Sequence, residues 1–356
     1  MHPYLDRTRP DIARELARLL AEGGKGFARA GRWGGEAARR LAGFASRGKM
    51  VRGSLLVLAW QMHGGAGGPT PRREALRAAA AVELLHSALL VHDDIIDGDR
   101  LRRGEATVFA QYEDAARRLG AASPERVGMG LGISAGDAAF FLALGELCSL
   151  DVEPSLGLAL ARLACREIAS VGAGQMQDVA LGAARRWPSR PEILAVYIYK
   201  TARYTFSLPL AAGALLAGAR PAALGRLEQL GELLGTAFQV LDDDLGMFGS
   251  ESETGKPVGA DLREGKKTLL ALELMRRARG AERRRLAALF GKTAASRREV
   301  AMVREAAERL GARQAALDAA ARLARDAERI VSGLRVGAEY RQVLREIAAA
   351  SLVRRS

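Results

Sequence analysis

The stretch LLVHDDIIDGDRLRRG, residues 89–104, carries four aspartates and three arginines directly after an apolar run. Asp93 and Asp97 are four residues apart, so a helix would place both side chains on one face, with Asp94 about 100° around the axis. Like charges at this spacing repel by roughly 0.2–0.5 kcal/mol, and apolar surroundings add a desolvation cost. A bound cation reverses this cost, and oxygen ligands favour Mg²⁺ together with a phosphorylated substrate. Taken alone, the pattern fits an acidic helix end in water equally well.

A second acidic cluster, in AFQVLDDDLGMFG at residues 237–249, again follows an apolar run. Asp242, Asp243 and Asp244 are consecutive, and Gly246 stands where a second DDxxD motif would have its last aspartate. If two such helices faced each other across a bundle, their carboxylates would hold metal ions from both sides, and the metal ions would hold a diphosphate. The repetition favours this interpretation over a solvated helix end.

Basic residues occur near both clusters and in short motifs elsewhere. Arg102 and Arg103 follow the first cluster, and RGKMVRG contains Lys49 and Arg52 about one helical turn apart. Each of these alone is more often a surface charge than a ligand. Together they fit the need to hold two diphosphates, one through metal ions and one through direct charge-assisted hydrogen bonds. The remaining basic residues of this set are Lys200 in YKTARYTF, at the head of a helix that carries Pro209, and Lys256, Lys266 and Lys267 in GSESETGKPVGADLREGKK.

The composition predicts an all-α protein. Hydrophobic residues make up 49% of the 356 residues, aromatic residues only 5%, and the helix formers Ala, Leu, Arg and Glu dominate. Apolar residues recur at helical spacing, without the sustained alternation that is typical of a sheet. No stretch resembles a domain linker. We therefore expect one domain over residues 1–356, with the motifs in about 47–270 and further helices in 271–356.

The net charge of +13 does not by itself indicate a nucleic-acid surface, because acids alternate with the arginines in helices such as residues 304–330. Cys148 and Cys165 have neither the spacing of a zinc site nor that of a disulfide framework. The N-terminus lacks the apolar core of a signal peptide, and the most apolar stretches fall short of the ~20 residues that a spanning helix needs. We expect a soluble, cytoplasmic protein that neither inserts stably into a membrane nor binds nucleic acid.

The order of the motifs resembles that of the trans-type isoprenyl diphosphate synthases, or polyprenyl synthetases. The similarity extends from about residue 47 to residue 270 through GKMVRG, VELLHSALLVHDDIIDGDRLRRG, the AGD of 135–137, GQMQD, KTA, FQVLDDDLG and TGKPVGADLREGKKT. The resemblance implies an isoprenoid-synthase-type helical bundle around a deep central cavity, usually in a homodimer. It also implies head-to-tail condensation of isopentenyl diphosphate with dimethylallyl, geranyl or farnesyl diphosphate, assisted by about three Mg²⁺ per active site.

The same resemblance implies roles for individual residues. Asp93, Asp97 and Asp242 would bind Mg²⁺, with Asp94 and Asp243 beside them. These five aspartates, Arg102 and Lys200 would form the catalytic set. The residues that would contact isopentenyl diphosphate are Lys49, Arg52, His86 and Arg103. Those that would contact the allylic diphosphate are Arg102, Lys200, Thr201, Gln239, Lys256 and Lys266.

Two departures from the family pattern are visible. GKMVRG stands where the family often has GKRLRP, which keeps the lysine and the arginine. Gly246 replaces the last aspartate of the second motif, which affects only a subsidiary carboxylate.

Two histidines lie close to the first cluster. His86 precedes Asp93 by seven residues, two helical turns on the same face, which favours a ligand role over the core role usual for a lone histidine. His92 would point elsewhere, and we expect it to be structural.

The implied reaction separates charge in a dry pocket and needs no side-chain nucleophile. Metal ions and basic residues stabilise the departing allylic diphosphate, the double bond of isopentenyl diphosphate attacks the carbocation, and a proton is lost. In this family, bulky aromatics at the fourth and fifth positions before the first aspartate stop chain growth early. Leu89 and Ala88 occupy these positions. We therefore expect a twenty-carbon geranylgeranyl product, with a longer product (C25 or more) or farnesyl diphosphate as the alternative.

Two other classes share some of these features. A terpene cyclase also has an α-helical bundle and a first aspartate motif, but its second motif normally contains Asn, Ser and Glu, unlike DDDLG. A catalytically silent subunit of a partner synthase typically lacks one aspartate cluster, whereas this sequence has both. We therefore favour the synthase over both alternatives.

Overall fold

The computed structural model describes residues 2–249 and 258–352, which are almost entirely helical, as the composition predicts. The helices up to the first acidic cluster are α1 (Pro3–Arg29), α2 (Arg32–Ala45), α3 (Val51–Met62) and α4 (Arg72–Asp97), with a 3₁₀ turn at Gly65–Gly67. Those up to the second are α5 (Val108–Arg118), α6 (Pro124–Cys148), α7 (Pro154–Ala183), α8 (Arg190–Val196), a π-helix (Tyr197–Ser207), α9 (Leu208–Leu216) and α10 (Pro221–Phe248). The helices that follow are α11 (Ala260–Glu264), α12 (Leu269–Arg277), α13 (Gly280–Ala287), α14 (Arg297–Arg309), α15 (Ala312–Ser332) and α16 (Ala338–Leu352).

The chain forms two compact units. Unit 1 consists of Met1–Cys165 and Pro209–Gly225, and unit 2 of Arg166–Leu208 and Arg226–Ser356. The first acidic cluster therefore belongs to unit 1 and the second to unit 2.

Helix α4 is the central element of unit 1. The four consecutive alanines of residues 78–81 are fully buried, and their small side chains permit close packing against α1, α3 and α6. The helix ends at the first acidic cluster because Gly98 adopts a left-handed backbone (φ +70), and its N–H bonds to the carbonyl oxygen of Asp94. This is the common glycine stop of a helix. It places the acidic side chains in the last turns of α4.

A short β-hairpin follows α4. This hairpin was not predicted from the sequence. Leu101–Arg102 pairs antiparallel with Glu105–Ala106. Arg103 (φ +54) and Gly104 (φ +77) both lie in the left-handed region, the combination that a tight two-residue hairpin turn requires. Strands of two residues are too short to produce an alternating pattern, so periodicity could not reveal them.

The segment that contains Lys200 differs from its prediction. Lys200 does not begin a helix but lies inside the π-helix, which continues from α8. Pro209 has no N–H to donate to the carbonyl oxygen four residues earlier, and the N–H of Leu208 bonds to Arg203, five residues earlier. The wider turn is the local consequence, and such π segments are frequent at functional sites.

The core of unit 2 forms around α12. Leu270 and Leu274 of this helix are buried with Val303 of α14 and Ala316 of α15. The C-terminal helices thus supply part of the apolar core of the unit that carries the second acidic cluster.

Two helices have the length and hydropathy of a membrane span, contrary to the expectation that every apolar stretch is too short. In α4, 72% of the 18-residue apolar window is buried inside the protein, whereas in α6 the buried share is 33%. Helix α4 is therefore a core helix of unit 1. Helix α6 exposes the apolar side chains of Met129, Ile133 and Phe141.

Candidate active-site residues

The first acidic cluster divides into an accessible pair and a buried residue. Asp93 and Asp97 are partly exposed in the last turns of α4, whereas Asp94 is fully buried. Arg102 of the hairpin donates to Oδ1 of Asp94 at 2.6 Å and lies 3.7 Å from Oδ2 of Asp93. Burial raises the pKa of Asp94 to about 7, and Arg102 acts against that rise. Asp94 thus fixes Arg102 beside the accessible pair.

The structure brings together three residues predicted to hold isopentenyl diphosphate. Burial of the His86 ring lowers the pKa of this histidine well below its usual value, and the positive charges of Arg52 and Arg103 lower it further. The ring is therefore neutral near pH 7. Burial, Arg102 and Arg52 likewise lower the pKa of Arg103. Cations that perturb one another in this way lie close together, an arrangement that favours an anion.

The position of Lys49 differs from its prediction. Lys49 is exposed in the loop before α3, because Met50 adopts a left-handed backbone (φ +51) and the helix begins only at Val51. Lys49 and Arg52 are therefore not one helical turn apart. His92, in contrast, has the structural position expected of it, with Nε2 3.1 Å from the carbonyl oxygen of Ile133 on α6.

In the second acidic cluster, Asp243 is an anchor inside unit 2. Its Oδ2 accepts the hydroxyl of Tyr197, and its Oδ1 accepts the amide of Gln239 at 2.8 Å. Burial and the neighbouring carboxylates of Asp261 and Asp242 raise its pKa well above the usual value. Both oxygens are engaged, so a metal ion would have to displace a hydrogen bond to reach them. Asp242, which is exposed, is better placed to be a ligand.

Three of the residues predicted to contact the allylic diphosphate lie beside this anchor. Thr201 donates to Oε1 of Gln239 at 2.9 Å, which joins it to the network of Asp243. Lys200 contacts Oδ2 of Asp178, the last residue of the GQMQD motif, at 2.5 Å. The π-helix and α10 therefore present Lys200, Thr201 and Gln239 within one unit.

The missing aspartate at position 246 has a structural explanation. A Cβ atom on Gly246 would lie 2.4 Å from Oδ2 of Asp261 in α11. No other side chain fits there without displacing this carboxylate. Asp261, which also contributes to the raised pKa of Asp243, thus has its carboxylate where a side chain at position 246 would begin.

The lysines of the glycine-rich segment have different surroundings. Lys266 pairs with Glu264 at 2.7 Å. Lys267 donates to the carbonyl oxygens of Leu181 at 2.8 Å and of Arg186 at 3.1 Å, and so caps the end of α7. Lys256 lies outside the described residues.

The end of α10 is held by the C-terminal helices, to which the sequence patterns assign no role. Arg313 of α15 donates to both oxygens of Asp244, at 2.8 and 3.0 Å, and stacks 3.9 Å from the ring centroid of Phe248. Arg304 of α14 donates to the carbonyl oxygens of Met247 and Gly249. Asp244 is thus occupied by a bidentate ion pair, the stronger form of such a contact.

We expect Arg313→Met to lower the free energy of unfolding by roughly 1–3 kcal/mol, because it leaves the buried Asp244 carboxylate unpaired. Chemical denaturation measures the loss. Arg322→Met, at an exposed position of the same helix, is the matched control and should change stability by less than about 0.5 kcal/mol. Equal effects of the two substitutions would contradict the role of the pair.

Sequence reasoning missed three residues of these networks. Tyr197, which precedes Lys200 by three residues, accepts the N–H of Leu269 at 2.8 Å and donates its hydroxyl to Asp243. Asp178 belongs to a motif that was recognised, but it had no assigned partner. Glu83, in the VELLH stretch before the first cluster, accepts a backbone N–H of α3 at 2.7 Å.

Comparison with known proteins identifies the family of this chain. The sequence profile of the polyprenyl synthetase family matches residues 38–307. The chain is 34% identical over 261 residues to a geranylgeranyl diphosphate synthase of Sulfolobus acidocaldarius, which is 72% of each chain. It is 36% identical over 277 residues to a (2E,6E)-farnesyl diphosphate synthase of Mycobacterium tuberculosis, covering 75% of this chain and 68% of the relative.

Among solved structures, similarity extends over the whole chain. The crystal structure of geranylgeranyl pyrophosphate synthase from Corynebacterium glutamicum, complexed with isoprenyl diphosphate and magnesium, matches with a TM-score of 0.93 at 29% identity and covers 99% of both chains. The fold is thus that of an isoprenoid-synthase helical bundle. The chain belongs to the polyprenyl synthetase family and is a trans-prenyltransferase, as the motifs predict.

Proposed function

We propose that the protein condenses isopentenyl diphosphate head-to-tail with an allylic diphosphate and releases geranylgeranyl diphosphate as its main product. The observation that carries this proposal is the set of cations around His86. Arg52 and Arg103 lie close enough to lower its pKa, although like charges repel one another. A diphosphate between them would remove that repulsion, which is a reason for a protein to keep such a set.

The donor set of the first acidic cluster fits Mg²⁺. Asp93 and Asp97 offer partly exposed carboxylates one helical turn apart, and Oδ2 of the buried Asp94 has no hydrogen-bond partner in the described chain. Mg²⁺ usually takes one or two protein carboxylates with water and substrate phosphate. We assign Asp93, Asp97 and Asp242 as the residues that would hold about three Mg²⁺. The metal, when bound, would neutralise charge on the allylic diphosphate.

The side chains of the protein perform the remaining tasks in the proposed reaction. Arg52, Arg103 and Lys49 bind the diphosphate of isopentenyl diphosphate, and the neutral His86 adds a hydrogen bond without further charge. Lys200 and Arg102 stabilise the allylic diphosphate as it leaves. Thr201 and Gln239 orient it, because their hydrogen bond fixes both side chains. The other assigned allylic ligands are Lys256 and Lys266.

The assembly and location of the protein are part of the same proposal. We assign a cytoplasmic homodimer without stable membrane insertion. Met129, Ile133 and Phe141 support the second copy as a partner, because they are large apolar side chains exposed on a single helix, α6. Light scattering on the purified protein measures its mass.

The proposed function is tested by incubating the protein with Mg²⁺, isopentenyl diphosphate and, in separate reactions, dimethylallyl, geranyl or farnesyl diphosphate. Chromatography of the dephosphorylated products should show a twenty-carbon alcohol as the main product. Chelation of the metal should abolish it. Absence of elongation with every primer would refute the proposal.

A fifteen-carbon product is the second candidate, and the similarity to a farnesyl diphosphate synthase from Mycobacterium tuberculosis supports it. The two candidates differ in one result of the same assay. A farnesyl synthase would accumulate the C15 product and would not use farnesyl diphosphate as a primer.

A further inference from the structure

The first turn of α3 is capped by a residue outside its own helix. Met50, which precedes the helix, has a left-handed backbone and an apolar side chain that makes no cap hydrogen bond. The first N–H groups of a helix have no partner within it. Here Glu83 of α4 accepts the N–H of Gly53 through Oε1 at 2.7 Å, and the N–H of Arg52 also bonds to this carboxylate. Glu83 therefore takes the place of an N-cap.

The carboxylate of Glu83 lies in a close-packed space. Glu83 is only 4% exposed. A Cβ atom on Gly53 would lie 3.1 Å from the carbonyl oxygen of Ala79 and 3.2 Å from Cγ of Glu83, so the first turn of α3 lies directly against α4. Packed interiors leave little room for a replacement partner. Loss of the carboxylate would leave these N–H groups unpaired.

The same carboxylate lies among the cations assigned to isopentenyl diphosphate. Burial raises the pKa of Glu83, and the positive charges of Arg52 and Arg103 act against the rise. His86, three residues further along α4, is affected by the same two arginines. Glu83 thus bonds to the backbone of one predicted ligand and lies near the others, while its burial keeps it from direct contact with substrate.

We propose that Glu83 is a positioning residue for isopentenyl diphosphate, which holds Arg52 in its binding orientation by capping α3. The inference rests on the proposed function, because that function assigns Arg52 to this substrate. In this proposal the cap depends on the acceptor oxygen of Glu83 and does not depend on its negative charge. Glutamine, which keeps an oxygen at the same distance, should therefore preserve it.

The test compares Glu83→Ala with Glu83→Gln in steady-state kinetics. Loss of hydrogen bonds to a buried carboxylate costs about tenfold or more, so Glu83→Ala should raise KM for isopentenyl diphosphate by that factor. The KM for farnesyl diphosphate should stay within about twofold, because no allylic ligand is attached to this turn. Glu83→Gln should stay within about threefold of the wild type in both constants.

Glu74→Ala is the matched control. Glu74 is a buried carboxylate of the same helix that also accepts a backbone N–H, from Asp151 at 2.9 Å, but it pairs with Arg77 and lies away from the cation set. Its loss should reduce stability and leave both KM values within about twofold. If Glu83→Ala does not fold, Glu83→Asp replaces it, since the shorter side chain keeps the charge and withdraws the acceptor.

Three results would overturn the inference: an unchanged KM for isopentenyl diphosphate, an equal rise in both KM values, or a glutamine variant as impaired as the alanine variant. Calorimetric titration with isopentenyl diphosphate alone needs no turnover. It therefore separates this inference from the proposed function: wild-type binding without elongation would refute only the function, and equal binding by wild type and Glu83→Ala would refute only the role of Glu83.

Discussion

Asp93→Asn is expected to lower kcat/KM for the allylic substrate by about a thousandfold or more. Asparagine keeps the size of the side chain and one oxygen but loses the charge that a hard cation requires. A metal ion that stabilises charge on a phosphoryl oxygen contributes several kcal/mol, and each ~1.4 kcal/mol is a factor of ten in rate. The initial rate should be measured over a range of Mg²⁺ concentrations, since a weakened metal site also shifts the metal requirement upwards.

Asp114→Asn is the control for this substitution. Asp114 lies on α5, is partly exposed, and pairs with Arg117 at 2.9 Å near the surface, where an ion pair contributes about 0–1 kcal/mol. The control should keep full activity and an unaltered metal requirement. An Asp93→Asn enzyme that retained more than a tenth of the activity, at the same Mg²⁺ concentration, would contradict the assignment of Asp93 as a ligand.

Local periodicity explains why the acidic residues could be placed from the sequence. Asp93 and Asp97 share a face of α4 because the direction of a side chain on a helix depends only on its position along the helix. The helix ends at Gly98 because this residue adopts a left-handed backbone, with φ +70. The all-α class followed from the same kind of local information. His92 could also be set apart from Asp93, since neighbouring residues on a helix point in different directions.

Contacts between distant residues were beyond that reasoning. Tyr197 reaches Asp243 across 46 positions, and Glu83 reaches Gly53 across 30. Nothing in the neighbourhood of either residue indicates its partner, because tertiary packing alone brings the two together. The position of Asp261 could not be predicted for the same reason. Its carboxylate lies close to Gly246 only because glycine has no Cβ atom, and no residue spacing in the sequence indicates this contact.

The C-terminal helices show how a surface pattern conceals a buried contact. The alternating acids and arginines of residues 304–330 predict a solvated face. Most of these residues do lie at the surface, but Arg304 and Arg313 turn inward to Met247 and Asp244. A helix can carry both kinds of arginine at helical spacing, and the sequence does not distinguish them.

Leu89→Phe is expected to shorten the main product from twenty to fifteen carbons. Towards its C-terminal end, α4 has the partly exposed residues His86, Leu89 and Asp93, whose spacing of three and four residues places them on one face. A ring at position 89 therefore extends from the face that carries the accessible carboxylate. If the growing chain passes along that face, the ring occupies the space of the last isoprene unit, and the product is released earlier.

Ala88→Phe should shorten the product as well, at a cost in stability. Ala88 is fully buried, so a phenylalanine there must displace packed neighbours, which costs typically about 1–3 kcal/mol. Chromatography of the products and chemical denaturation of both variants separate the two effects. Leu119→Phe, which adds the same ring at an exposed position after α5, controls for the change in composition. If the C20 product persists in both α4 variants while the control is normal, chain growth is limited by residues elsewhere, and the face of α4 below Asp93 does not line the path of the product.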